Sequence, residues 1–289
     1  LFDSTRAEDA PDTAMVSLAA HHAREGRRLD PMSGEAWITE GVVLERAGDR
    51  RGAAAALRRG VELEPLCLRH HIRRAFGSWG EDRIAAATMA LRLSPRLPDA
   101  HLLMATVFVA RDNAAEAERQ LDAGLAAMPD PEEPSGLQVG LYWLKGLLRQ
   151  LRGPTDDAIA WLDRELDLEP HGHVYARECC ASALYAKGAM LADRGDTAAA
   201  REAYAAALSR APRHAMARAR LVILDGHADR LAAADLPDRE ARLHIDEAMA
   251  RAAILVHVGR TDAAVELCHR ALAASPPGNA GWLLPIDPL

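Results

Sequence analysis

The sequence predicts an all-α fold, a right-handed solenoid of stacked antiparallel helix hairpins. Three observations carry that expectation. Of 289 residues, 60 are Ala, and runs rich in Val, Ile, Thr and Tyr are nearly absent. Ala is the strongest helix former and lets helices pack closely. Seven prolines, Pro31, Pro65, Pro95, Pro129, Pro170, Pro212 and Pro276, each close a helical stretch, at intervals of 34, 30, 34, 41, 42 and 64 residues. Residue size then recurs at fixed distances from those prolines.

Twelve residues before each proline lie Ala19, Ala53, Arg83, Ala117, Ala158, Ala200 and Ala264. Twenty-four before lie Ala7, Gly41, His71, Ala105, Gly146, Gly188 and Ala252. Five before lie Gly26, Gly60, Ala90, Gly124, Glu165, Ala207 and Ala271. Each set is small except at one position. Eight before, every residue is apolar: Ala23, Leu57, Ala87, Leu121, Leu162, Tyr204 and Cys268. Two helices joined by a short turn bury one face each, and a lone hairpin leaves those faces uncovered, so hairpins stack. Small residues admit a neighbouring backbone and larger ones fill the seam. The turns are expected at "AGD" 47–49, "RDN" 111–113, "RGPTDD" 152–157, "RGD" 194–196 and "VGRTD" 258–262. Proline ends the second helix because it lacks an amide and clashes with the preceding turn.

This register resembles the tetratricopeptide repeat (TPR). Its 34-residue unit favours the pattern seen here as Trp37, Gly41, Ala53, Gly60 and Pro65. The resemblance covers nearly the whole chain and divides it into a solenoid over 1–276, with units ending near 31, 65, 95, 129, 170, 212 and 276, and an extended, non-helical tail over 277–289. Departures from the pattern are local. The unit ending at Pro95 is four residues short. Extra residues are expected in a surface loop, "DPEEPSG" at 130–136, and in an N-terminal helix extension, "HGHVYARECC" at 171–180. The 64-residue interval holds a degenerate hairpin before a long helix from about Pro237. The tail is expected to lie as a strap over the last hairpin, anchored by Trp282.

The resemblance implies a concave wall lined by first helices, where a partner peptide or helix would bind. The positions that fall there are Ile38, Val42, Leu102, Thr106, Trp143, Leu147, Tyr185, Ala189 and Met249. This wall is largely apolar. It lacks the Lys, Asn and Arg of chaperone-binding TPR domains, so a carboxylate clamp is not carried over. An apolar lining suits an amphipathic helix. The same residues could equally pack against neighbouring helices or against the chain's own tail.

Net charge is −7 at pH 7, which argues against direct nucleic-acid binding. No apolar run is long enough for membrane insertion. The absent signal peptide and the scattered Cys67, Cys179, Cys180 and Cys268 suggest a reducing, cytoplasmic setting. High Ala, Arg and Gly content suggests a bacterial source.

No motif for catalysis, cofactor or metal binding stands out. The nearest to a metal cluster is His171, His173, Cys179 and Cys180, whose spacing does not suit zinc. "RHHIRR" at 69–74, with Arg83, is read as a solvated helix face rather than an anion site. The expected function is therefore a non-enzymatic protein–protein interaction scaffold with no cofactor. Three alternatives stand beside it. One is a regulatory or sensor arm of a longer protein, since the chain lacks an initiator Met. Another is a metal- or thiol-dependent enzyme using the His171–Cys180 region. The third is a self-association module.

Overall fold

The computed structural model describes residues 13–129, 139–171, 175–228, 245–275, 278, 280–283 and 285–286. Among them are fourteen α-helices, two short 3-10 turns and no strand. The chain forms two compact units, residues 1–130 and 131–289.

The first unit holds α1 (Thr13–Leu29), α2 (Gly34–Arg46), α3 (Arg50–Leu63), α4 (Leu68–Phe76), α5 (Glu81–Leu93), α6 (Pro98–Ala110) and α7 (Ala114–Ala127). Hairpins α2–α3, α4–α5 and α6–α7 pack in series, and first helices also touch, α2 on α4 and α4 on α6. The second unit holds α8 (Leu141–Gln150), α9 (Thr155–Leu166), α10 (Ala176–Asp193), α11 (Thr197–Arg210), α12 (Ala215–Leu224), α13 (Ile245–His257) and α14 (Thr261–Ala274). Its hairpins are α8–α9, α10–α11 and α13–α14, with α12 packed between α11 and α13.

The proline register sets the helix ends. α1, α3, α5, α7, α11 and α14 each stop two residues before the marker proline, whereas α9 stops four before Pro170, which sits in a 3-10 turn, Glu169–His171. The hairpin turns also fall where expected. Gly48 and Gly195 take φ +83°, and Asp112 takes the same left-handed conformation at φ +54° in the glycine-free "RDN" turn. The next residue begins the second helix, where Asp49, Asn113 and Asp196 accept hydrogen bonds from the amides of Gly52, Glu116 and Ala199.

The small positions form seats. A Cβ added to Gly41 would lie 2.7 Å from Leu57 Cγ, one on Gly146 2.8 Å from Leu162 Cδ2, and one on Gly188 2.6 Å from Tyr204 Cε1. In all three hairpins the residue 24 before the proline receives the one eight before it. Gly60 lies against α2 itself, its added Cβ 2.6 Å from Ile38 Cγ1 and 2.9 Å from the Gly34 carbonyl oxygen. The residues 12 before the proline, Ala53, Ala117, Ala158, Ala200 and Ala264, are all buried.

Three sequence expectations need adjusting. Residues His70, His71 and Arg83 are buried, not a solvated face. The 171–180 extension appears as α10, which is 18 residues long and starts at Ala176. Residues 280–283 form a 3-10 turn rather than an extended run. The loop at 130–136, the second helix of the degenerate hairpin and the start of the helix placed at Pro237 lie outside the described residues.

Candidate functional site

The positions expected to line a groove sit on the first helices. Ile38, Leu102, Thr106, Trp143, Leu147, Tyr185 and Ala189 are buried; Val42 and Met249 are half-buried. Within the first unit, Ile38 and Val42 pack with Leu57 and Val61. Thr106 donates to the Leu103 carbonyl at 2.7 Å and accepts from Arg83 Nη1 at 2.9 Å. Within the second unit, Tyr185 rests 6.2 Å from the Tyr204 ring and 5.2 Å from His214, centroid to centroid. Met249 Sδ accepts from Cys268 Sγ at 3.7 Å.

Trp143 on α8 meets the C-terminal segment. Its ring stands edge-on to Trp282, centroids 6.4 Å apart and planes at 84°. The 280–283 turn packs on α13, and Trp282, Leu283 and Ile286 are all buried. Edge-to-face pairs of this kind contribute about 0.5–1.5 kcal/mol beyond their area. A short segment thus lies on first helices of the second unit and is held there by an aromatic anchor.

Each first helix needs its N-terminal amides satisfied, and two hairpins do this with a carboxylate from the end of their second helix. Glu64 Oε1 accepts from the Gly34 amide at 2.7 Å. Fully buried Glu165 accepts from the amides of Gly140 at 2.6 Å and Trp143 at 3.0 Å. Burial pushes Glu165 up to about 7, against the downward pull of the Gly140, Trp143 and Tyr142 amides. Glu165 occupies the one non-small position in its register column.

The other two exceptions are buried polar groups as well. Arg83 turns its guanidinium onto the C-terminal end of α4, donating to the carbonyls of Ala75 (3.1 Å), Ser78 (2.8 Å) and Phe76 (3.2 Å), with the Trp79 ring 4.6 Å away. A cation there meets the negative end of the helix dipole. His71 Nε2 donates to the Pro65 carbonyl at 2.8 Å and pins the α3–α4 turn.

In the 171–180 region the thiols are poor nucleophiles. Cys179 and Cys180 are buried, which holds the Cys179 thiol well above its usual range and pushes Cys180 up to about 12. Cys180 Sγ donates to the Glu165 carbonyl at 3.6 Å. His173 lies outside the described residues.

The hairpin series, its turns and its small-residue seats define an α-solenoid of TPR type, a fold typical of protein-interaction scaffolds. The sequence model of the tetratricopeptide repeat family matches residues 181–214, most of the α10–α11 hairpin with its closing proline. No curated protein sequence matches the chain. Among solved structures, a chain of the APC/C hetero-tetramer Cut9–Hcn1 aligns at TM-score 0.62 and 15% identity, covering 92% of this chain and 47% of that one. The present chain therefore spans about half of that neighbour's length. Yeast Tom70 aligns at TM-score 0.51 and 14% identity, covering 90% of this chain and 55% of that one. PilW, a widely conserved type IV pilus biogenesis factor, aligns at TM-score 0.50 and 16% identity, covering 83% and 93%. These likenesses establish the fold. Among the described residues, no helix is long and apolar enough to cross a membrane.

Proposed function

We propose that the chain is a non-enzymatic scaffold whose first-helix faces hold a segment of a protein partner through aromatic and aliphatic anchors. The observation that supports this most is the seating of Trp282 against Trp143, which leaves a short apolar segment packed on first helices of the second unit. A partner presenting an amphipathic helix or apolar strip would use the same chemistry, and aromatic anchors are where interface energy concentrates. A reducing, cytoplasmic setting fits four cysteines that are all free thiols. The test compares partner capture by the wild-type chain and by Trp143→Ala/Tyr185→Ala. Loss of capture by a variant that keeps its helical circular dichroism is expected; equal retention of the partner by both removes the reading.

A further inference from the structure

The α3–α4 turn carries a group of side chains that the scaffold function does not use. Glu64, Cys67 and His70 each offer one donor atom, and these atoms all lie within 4.8 Å of one another. Cys67 is the N-cap residue of α4, yet its side chain caps nothing. The turn itself is fixed, since the Cys67 amide donates to the Glu64 carbonyl at 3.1 Å and the His70 amide to the Cys67 carbonyl at 3.1 Å.

His70 gives the cluster its direction. Its side chain is 1% exposed, and its Nε2 lies 3.1 Å from Glu35 Oε2. That carboxylate can only accept here, so Nε2 is the donor to it, and Nδ1 is the ring nitrogen turned toward the rest of the cluster. Nδ1 is buried and, among the described residues, has no hydrogen-bond partner. It faces Glu64 Oε2 at 3.8 Å, the carboxylate oxygen that does not cap α2. A carboxylate–histidine pair of this form orients the ring and raises the basicity of the opposite nitrogen for a metal. Arg69 fixes Glu35 in turn, pairing closely with its other oxygen.

We propose that Cys67 Sγ, His70 Nδ1 and Glu64 Oε2 bind one Zn²⁺, with Glu35 as the outer carboxylate and water in the fourth position. Thiolate, imidazole and carboxylate together suit Zn²⁺. Tetrahedral Zn²⁺ with ordinary bond lengths separates such donors by about 3.4–3.6 Å, so closure asks for movement of about an ångström. The Cys67 and Glu64 side chains are not fully buried, which leaves room for it. Binding releases the Cys67 thiol proton to solvent and ties the α3–α4 turn to the start of α2.

The test uses the reduced, metal-stripped 289-residue chain titrated with Zn²⁺ and, as a spectroscopic probe, Co²⁺. One equivalent of Zn²⁺ is expected to bind, and Co²⁺ should produce a thiolate-to-metal charge-transfer band with tetrahedral ligand-field absorption. Cys67→Ser should abolish the band. Glu35→Gln should keep it while weakening Zn²⁺ binding by about 10- to 100-fold. Cys67→Ser is a near-isosteric change at a half-buried site, so it keeps the test readable if His70 variants fail to fold. No stoichiometric binding, or a charge-transfer band that survives Cys67→Ser, overturns the proposal.

Discussion

The seat made by Gly188 for Tyr204 can be tested as a thermodynamic cycle. An added Cβ at Gly188 would lie 2.6, 2.7 and 3.1 Å from Tyr204 Cε1, Cδ1 and Cζ, with that ring supplying all three nearest contacts. The ring is buried and rigid, so it must shift by several tenths of an ångström. Overpacking of this size costs about 1–3 kcal/mol, while replacing a mid-helix Gly by Ala returns about 1 kcal/mol of helix propensity. Gly188→Ala should therefore destabilise by up to roughly 2 kcal/mol. Tyr204→Ala alone should cost about 3–5 kcal/mol through the cavity it leaves. With the ring gone, the three closest contacts of the methyl at 188 are gone, and Gly188→Ala in the Tyr204→Ala background should stabilise by about 1 kcal/mol. The difference between the two backgrounds gives a coupling of roughly 1–3 kcal/mol, measured from urea midpoints at unchanged slope. Additivity within about 0.5 kcal/mol would refute the claim that this position is small in order to admit the residue sixteen later.

Two further outcomes follow from neighbouring observations. Gly26 and Gly60 share one register position, yet an added Cβ at Gly26 meets nothing within 4 Å, whereas at Gly60 it meets the α2 backbone. Gly26→Ala should raise stability by about 0.5–1 kcal/mol and Gly60→Ala should lower it by up to about 2 kcal/mol, read as thermal shifts of opposite sign. Burial raises the Glu165 carboxyl to about 7 in the folded chain from an ordinary 4.5. Between those values the folded state holds the extra proton, so its contribution is full below pH 4.5 and is lost as pH rises through 7. The loss amounts to about 3 kcal/mol, and Glu165→Gln should flatten the stability profile over that window.

The repeat was legible because its signals are local. Proline, glycine and small-residue spacing depend on the chain's immediate geometry, and the helix ends and turns follow them to within a residue or two. The exceptions were visible but unexplained. His71, Arg83 and Glu165 stand out as polar residues in columns of small ones, yet their roles depend on partners brought in by folding: the Pro65 carbonyl, the end of α4 with Thr106, and the amides opening α8. Reading "RHHIRR" as a solvated face holds for Arg69 and Arg73, which are exposed, but not for His70 and His71, since charge alone does not reveal that His70 faces Glu35 and Glu64. The Cys67-x2-His70 spacing is present in the sequence, but two residues at that spacing do not make a site until folding brings Glu35 and Glu64 beside the ring. Trp143 and Trp282 are too far apart in sequence for any periodicity to pair them.

The most direct measurement of partner binding by the first-helix faces is calorimetric titration of a chain shortened to residues 1–275 with a synthetic peptide of residues 277–289. Saturable one-to-one binding is the expected result, weakened at least about tenfold by Trp143→Ala through loss of a buried aromatic anchor. Heats no larger than dilution, or equal affinity with and without Trp143, would contradict it.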